Sequence, residues 1–416
     1  MKIKKIDARE IYNSSGFPTI ECTITLDSHE SFTGSAPTGT SRSSYEAHEM
    51  RDPDRLRGKG VETAKKNIEK IIAPALVEKE PNVVQLDLIM KELDNTAEKT
   101  ILGANATLAV SSALVKAHAY SNGYQIFELI ADLYDANSVQ IPFPLCNMIQ
   151  GGLHEDNNLV VQEFLIAPIQ CTNFREAMEK TTHFFHSLKH LLQKYNLNPA
   201  IGCEGGYAPN LQSEEDALEI IMQTMSDINE EGTFKIGLDV AATHFYNATT
   251  SLYQWHETQI SRDELIQWYE KIIATYPIFY LEDPLYEDDW EGWHLITEKF
   301  GNTVQIVGDD IFATHPERII YAIEHGIANA AIIKPNQIGT ITETLQTIKL
   351  CQEHGFNAIL SHRSQETDDT IIADLAVGTS AGQLKAGGCS RGERIAKYNR
   401  ILRIEDFLSL MMFRFQ

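Results

Sequence analysis

The sequence predicts an α/β protein, a closed (β/α)8-like barrel preceded by an N-terminal α+β capping domain. Three observations carry that reading. From about residue 234 onward, short apolar runs of strand length alternate with amphipathic helical segments. The connections between them are short, as in parallel βαβ units. Nearly every run ends in an ionisable group, giving Asp239, Glu282, Asp309, Lys334, His362 and Lys385 in turn. The C-terminal ends of barrel strands share one face, so these side chains should converge there.

The N-terminal part reads differently. "KKIDAREIY", "PTIECTITL" and "SFTGSAP" alternate as antiparallel strands do, with "NSSGFP" and "DSHE" as the turns between them. Helical patterns follow in "GVETAKKNIEKIIAPAL" and "NATLAVSSALVKAHAYSNG". The capping domain is expected over residues 1–130 and the barrel over 138–416. No linker rich in Pro, Gly or Ser divides them, so the two should pack together.

In the barrel, "FKIGLDVA" leads to the helix "SRDELIQWYEKIIATYP", which Ser261 and Glu264 open as a capping box. "IFYLEDP" precedes "DDWEGWHLITEKF", and "VQIVGDD" precedes "HPERIIYAIEHG". "NAAIIKPNQ" precedes "TITETLQTIKLCQEHG", where Thr340 and Glu343 predict a second box. "NAILSHRS" with "DDTIIADLAVGTS", then "QLKAGG" with "RGERIAKYNRIL", complete the pattern.

Composition narrows the function classes. Of 416 residues 43% are hydrophobic and 22% charged, as in ordinary globular proteins. No apolar run approaches the roughly 18 residues that span a bilayer, so no membrane association is expected. "MKIKKIDAREIY" has no hydrophobic stretch behind its lysines, unlike a secretory signal, and a cytoplasmic protein is expected. The six cysteines lack zinc-ligand spacing and read as reduced thiols. A net charge of −23 is a poor footprint for nucleic acid. An anionic substrate then requires a local concentration of cations.

The strand-end residues supply such a place. Asp239, Glu282 and Asp309 are hard oxygen donors that suit magnesium. Lys334, beside a divalent cation, would lose pKa and become a candidate general base. "SHRS" sets His362, Arg363 and Ser364 together, and the planar fork of an arginine suits phosphate. Lys385 adds a cation for a carboxylate. The set suits removal of a proton next to a carboxylate, with a metal offsetting the charge that develops.

"CEGGYAPN", "LEDPLYEDDWEGW", "IIKPNQIGT" and "SHRSQETDDTIIADLAVG", with the amino-terminal "AREIYNSSGFPT", together resemble the enolase (phosphopyruvate hydratase) family over nearly the whole chain. Sites of that superfamily pair a lysine or histidine base with one or two magnesium ions. The resemblance implies an enolase-type barrel and magnesium-dependent dehydration of 2-phospho-D-glycerate to phosphoenolpyruvate. It implies that Asp239, Glu282 and Asp309 hold one Mg2+ and that Ser41 ligates a second, arriving with substrate. Lys334 would take the C2 proton and Lys385 would stabilise the carboxylate. Glu204, assisted by Glu163, would protonate the departing C3 hydroxyl. Arg363 and Ser364 would bind phosphate, His154 would come down on a mobile loop, and His362 and Gln162 would line the pocket. A homodimer or dimer-built octamer is implied, with Arg9 and Glu405 the kind of pair its interface uses.

The chain departs from the family pattern around its lids. Cys203 stands where an aspartate is usual, and Arg42 and Ser43 replace Thr and Gly in the first loop. Leu153, Glu155 and Asp156 change the second loop, and Gln365 replaces a glycine. Ser15 and Phe17 replace Arg and Asn near the start. Cys203 reads as a small filler rather than a nucleophile. The added carboxylates are expected to disturb closure unless they pair with each other or with magnesium. A paralogue acting on a related phospho- or phosphono-carboxylate, and an inactive fold kept as a binding protein, are the alternatives.

Overall fold

The computed structural model describes residues 1–40 and 43–414, with side chains to 410. Strands β1 (Ile3–Tyr12), β2 (Pro18–Leu26) and β3 (Ser31–Ser35) form the antiparallel N-terminal sheet. Helix Ala104–Asn122 packs across it, and Gly34 is required at the crossing, where a Cβ would lie 2.4 Å from Ala113 N. The helical pattern over 62–76 is a composite of α-helix Glu62–Asn67, π-helix Ile68–Ile72 and α-helix Ala73–Leu76. Pro74 has no N–H for the Lys70 carbonyl, and a wider turn relieves the clash of its ring.

Strands β4 (Phe143–Gln150), β5 (Glu163–Pro168) and β6 (Phe234–Asp239) begin the barrel. A small sheet of β7 (Tyr246–Asn247), β8 (Leu252–Trp255) and β9 (Thr258–Ile260) follows. Then come β10 (Ile278–Glu282), β11 (Gln305–Gly308), β12 (Ala330–Ile333), β13 (Asn357–Ser361) and β14 (Gln383–Lys385). The closed barrel runs β10-β11-β12-β13-β14-β4-β5-β6. It is not uniformly parallel, because β5 is antiparallel to both β4 and β6. The connection 151–162 carries only a short 3-10 turn, and a parallel return needs a longer crossover.

The barrel interior is a packed layer of Leu145, Leu165, Ala167, Tyr280, Val307, Ala330, Ile332 and Ile359. Tyr280 faces Gly237 in register, and the absent side chain leaves space for its ring. Glu282 lies two residues further along the same strand and so points the same way. Interior packing thereby aims a carboxylate at the open end.

Of the two predicted capping boxes, Ser261 and Glu264 form theirs reciprocally. At Thr340 only half is made. Its hydroxyl accepts from Glu343 N at 3.2 Å. The Glu343 carboxylate meets Lys99 at 2.9 Å and Lys91 at 3.4 Å. These lysines come from the N-terminal part, and their charge outcompetes a backbone N–H.

Asp87 ties the same helix to the N-terminal part. Its Oδ2 accepts from Ser111 Oγ (2.8 Å), Thr342 N (3.0 Å) and Thr342 Oγ1 (2.6 Å). Burial outweighs these bonds and pushes its carboxyl up to about 6. The folded protein thus holds this proton more tightly than the unfolded chain. Stability from this group is present below pH 4 and lost as pH rises through 6. Asp87→Asn keeps an acceptor without the charge, so its stability relative to wild type should improve between pH 4.5 and pH 8. A gain on the order of 2 kcal/mol is expected, read by denaturant unfolding at both pH values.

The expected interface pair is engaged within the chain. Arg9 meets Glu21 at 3.3 Å, and Glu405 accepts from Phe174 N (2.6 Å) and Arg175 N (3.1 Å). Glu405 thereby caps helix Phe174–Lys194. No helix among the described residues is long and apolar enough to cross a membrane.

Candidate active site

The open end of the barrel gathers what the strand ends promised. β6, β10 and β14 finish at Asp239, Glu282 and Lys385, and β11, β12 and β13 stop one residue before Asp309, Lys334 and His362. His154, Gln162, Glu163, Glu204, Asp239, Asp309, Lys334, His362, Arg363, Ser364 and Lys385 line one cavity. Glu282 lies fully buried behind Lys385. Ser41 and Arg42 lie outside the described residues.

Lys385 is the electrostatic hub. Its Nζ is 2.5 Å from Glu163 Oε2 and 2.8 Å from both Asp239 Oδ2 and Glu282 Oε2. Desolvation alone would lower its pKa, but the three surrounding acids leave it well above the ordinary lysine value. Asp239 is buried too, yet Lys385 holds its carboxyl down at about 2. Glu282 goes the other way, raised well above the carboxylate range by burial and then by Asp239. Its Oε2 also accepts from Tyr280 OH.

Asp239 and Glu282 are direct partners across the β6–β10 ladder, and Asp309 follows the next strand. Lys334 Nζ sits on Asp309 Oδ2. Its pKa is raised here, because Asp309 outweighs the lowering effect of burial. The fall expected beside a divalent cation is therefore not a property of the lysine pocket by itself. Glu282 Oε1 and Asp309 Oδ1 are buried without hydrogen-bond partners. Unpaired buried carboxyl oxygens are costly, and a hard cation would satisfy them. The donor set fits magnesium.

Asp283, Asp309 and Asp310 also bring ligand atoms close together. Asp283 has another task, accepting the N–H of Asp309 at 2.9 Å and of Asp310 at 2.8 Å. It fixes the turn that presents Asp309. Its sequence signal was the second acid in "LEDP", masked by the first.

Glu204 sits in its glycine turn, 3% exposed, between two histidines. His154 Nδ1 and His362 Nε2 each lie 3.7 Å from a different Glu204 oxygen. Gly205, at φ +94°, adopts a backbone conformation that a side chain would oppose, and a Cβ there would lie 2.7 Å from Ser390 O. Glu163 has its pKa raised well above normal, by burial first and also by Glu204, against the lowering effect of Lys385. Asn147 Nδ2 orients it with a 2.6 Å bond to Oε1.

A buried arginine that the motifs did not single out joins these parts. Arg394 NH1 lies 2.6 Å from His362 Nδ1 and from Arg363 O, and NH2 donates to Ser364 O at 2.6 Å. A guanidinium only donates, so His362 Nδ1 accepts and the ring proton resides on Nε2, facing Glu204. Burial, then Arg394, pushes the His362 pKa well below normal. Its signal was a basic residue in "RGERIAKY", which reads as an ordinary helix face.

Arg363 is bound by Glu46 through two 3.0 Å contacts and by Asn336 Oδ1 at 3.2 Å. Ser364 Oγ donates to Thr40 Oγ1 at 2.9 Å. A phosphate here would share or displace these partners. Gln162 Nε2 donates to Asp239 Oδ2 at 3.2 Å.

The departures have partners of their own. Gln365 is buried and accepts from Asn13 Nδ2 at 3.4 Å. Ser43 Oγ donates to Glu287 at 2.9 Å. Glu155 accepts the Cys203 N–H at 2.6 Å, so its carboxylate is engaged by a backbone donor rather than by Asp156. Burial, then Glu204 and Glu155, raises the Cys203 thiol to about 12, which suits a filler rather than a nucleophile.

A barrel capped by an α+β part, with lysines and carboxylates converged at its strand ends, has the architecture of an enolase-superfamily site. A family model for "Enolase, N-terminal domain" matches residues 3–130, and one for "Enolase, C-terminal TIM barrel domain" matches residues 138–413. The chain belongs to the enolase family.

Proposed function

We propose that the protein catalyses the reversible, magnesium-dependent dehydration of 2-phospho-D-glycerate to phosphoenolpyruvate. The observation that carries this reading is one cavity holding two lysines on a carboxylate cluster, with Glu204 between two histidines. Asp239, Glu282 and Asp309 would hold the first Mg2+, and Ser41 the second. Bound magnesium would supply positive charge against the substrate carboxylate and compete with Lys334 for Asp309.

Lys334 would take the proton from C2, and giving up Asp309 to a bound cation would remove the interaction that raises its pKa. Lys385 stays beside the carboxylate, where charge accumulates. Glu204 gives a proton to the leaving C3 hydroxyl. Glu163, whose pKa is raised by burial and by Glu204 against the pull of Lys385, stands as the neighbouring reserve. His362 presents Nε2–H to Glu204 and His154 closes from the loop. Arg363 and Ser364 receive the phosphate. The six free thiols suit a reducing, cytoplasmic compartment, and a homodimer or dimer-built octamer is part of the proposal.

The test is turnover of 2-phosphoglycerate, with magnesium and with chelator, beside a panel of phosphonate analogues. A second reading, a paralogue for a related phospho- or phosphono-carboxylate, is favoured by the lid. Leu153 is 59% exposed and lines a groove beside the cavity. On that reading 2-phosphoglycerate turns over slowly with a weak second magnesium. Restoring the usual residues at Arg42, Ser43, Leu153, Glu155, Asp156 and Cys203 together should then raise the rate. A wild-type rate typical of enolases removes this alternative.

A further inference from the structure

One carboxylate joins the loop between β4 and β5 to the turn that carries Glu204. Glu155 Oε1 accepts from Cys203 N at 2.6 Å and from Gln150 Nε2 at 2.9 Å. Gln150 Oε1 in turn accepts the N–H of Glu204 at 3.3 Å and of Gly206 at 3.1 Å. In the opposite direction, the Cys203 thiol lies 3.5 Å from the His154 carbonyl oxygen. Gly202 leaves the space for this arrangement, since a Cβ there would collide with Glu155 Oε1 and the Gln150 amide. The neighbouring carboxylate, Asp156, is exposed and takes no part.

A bond from an ionised acceptor to a backbone N–H is stronger than a neutral one. The backbone N–H it satisfies belongs to the residue directly before Glu204. Fixing that peptide fixes where the Glu204 side chain starts, while the same contact holds His154 within 3.7 Å of Glu204 Oε1. We propose that Glu155 is a positioning residue, whose carboxylate latches the His154 loop onto the Cys203–Gly206 turn and so aligns Glu204. The proposal deepens the reading of Glu204 as the proton donor and rests on it for its catalytic consequence. The latch itself is testable without turnover.

The Cys203 thiol, half-buried like Cys171, lies 3.5 Å from the His154 carbonyl of the latched loop, so a rise in its alkylation reports opening. Iodoacetamide labelling, followed per cysteine by peptide mass spectrometry, uses the partly exposed Cys171 as internal control. Loss of a bond to a charged group should open the loop, raising Cys203 labelling in Glu155→Ala by about tenfold or more. Cys171 labelling should not change. Glu155→Gln keeps an oxygen able to accept both bonds but loses the charge, and should fall between wild type and Glu155→Ala. Gly202→Ala, which excludes the carboxylate sterically, should behave as Glu155→Ala does, and serves if that variant fails to fold.

Labelling of Glu155→Ala or Gly202→Ala at the wild-type rate overturns the latch. Equal rises in Glu155→Ala and Glu155→Gln also overturn it, because the hydrogen-bonding oxygen that the amide retains would then contribute nothing. In turnover, Glu155→Ala should lower kcat more than it raises KM, and Glu155→Gln should recover part of the loss. A labelling rise without 2-phosphoglycerate turnover in any variant, wild type included, keeps the latch and removes the substrate assignment.

Discussion

Lys334→Ala should stop exchange of the C2 proton of 2-phosphoglycerate with deuterated solvent. A positioned general base contributes about 10²–10⁴-fold, and a loss in that range is expected for both exchange and dehydration. The structure adds a control. Lys334 is paired to Asp309, so the variant relieves that carboxylate of a competing cation. Magnesium binding, followed by calorimetry, should be retained or strengthened while exchange disappears. Glu204→Gln should give the complementary pattern. An amide cannot donate the proton that the hydroxyl needs, so dehydration is blocked, while Lys334 can still exchange the C2 proton. Normal exchange in Lys334→Ala would show that another group is the base.

What was legible in the sequence was the order of chemistry along the chain. Asp239, Glu282, Asp309, Lys334, His362 and Lys385 each follow an apolar run, and barrel topology alone places such positions on one face. Strand pairing in the first half of the barrel was not legible. β4 and β5 read as continuous apolar segments, and such periodicity does not tell parallel from antiparallel. The short connection 151–162 decides it, because it holds a turn and no crossover helix.

Side-chain partners were legible only where a local rule governs them. Ser261 and Glu264 lie three residues apart and form their box, whereas Glu343 abandons Thr340 N for lysines more than two hundred residues away in sequence. The same limit hid Arg394, Asn147 and Tyr280, whose roles arise from contacts across the fold. Glu155 and Cys203 could be recognised as changed positions. That they touch could not, since nothing in either motif encodes the 2.6 Å bond between a loop carboxylate and a turn N–H.

Asp239→Ala, Glu282→Ala and Asp309→Ala should each lower turnover by about 10²-fold or more, as should chelation of the wild type, because misplacing a reacting group by an ångström costs on that scale. The structure separates the metal's role from simple loss of charge. Glu282 Oε1 and Asp309 Oδ1 are buried without hydrogen-bond partners, and burying carboxyl oxygens in that way is unfavourable unless a cation or another partner completes them. Glu282 is moreover held well above the ordinary carboxylate range, by burial and by Asp239. A raised pKa favours the protonated form, whereas a metal ligand must be ionised, so protons and metal compete for it. Apparent magnesium affinity should therefore weaken as pH falls, with proton release on binding, and calorimetry in buffers of different ionisation enthalpy measures that release. Glu282→Gln should bind magnesium more weakly and lose most of the pH dependence. Full activity in one of the alanine variants would remove that carboxylate from the site, and pH-independent binding in the wild type would assign the ion to other ligands.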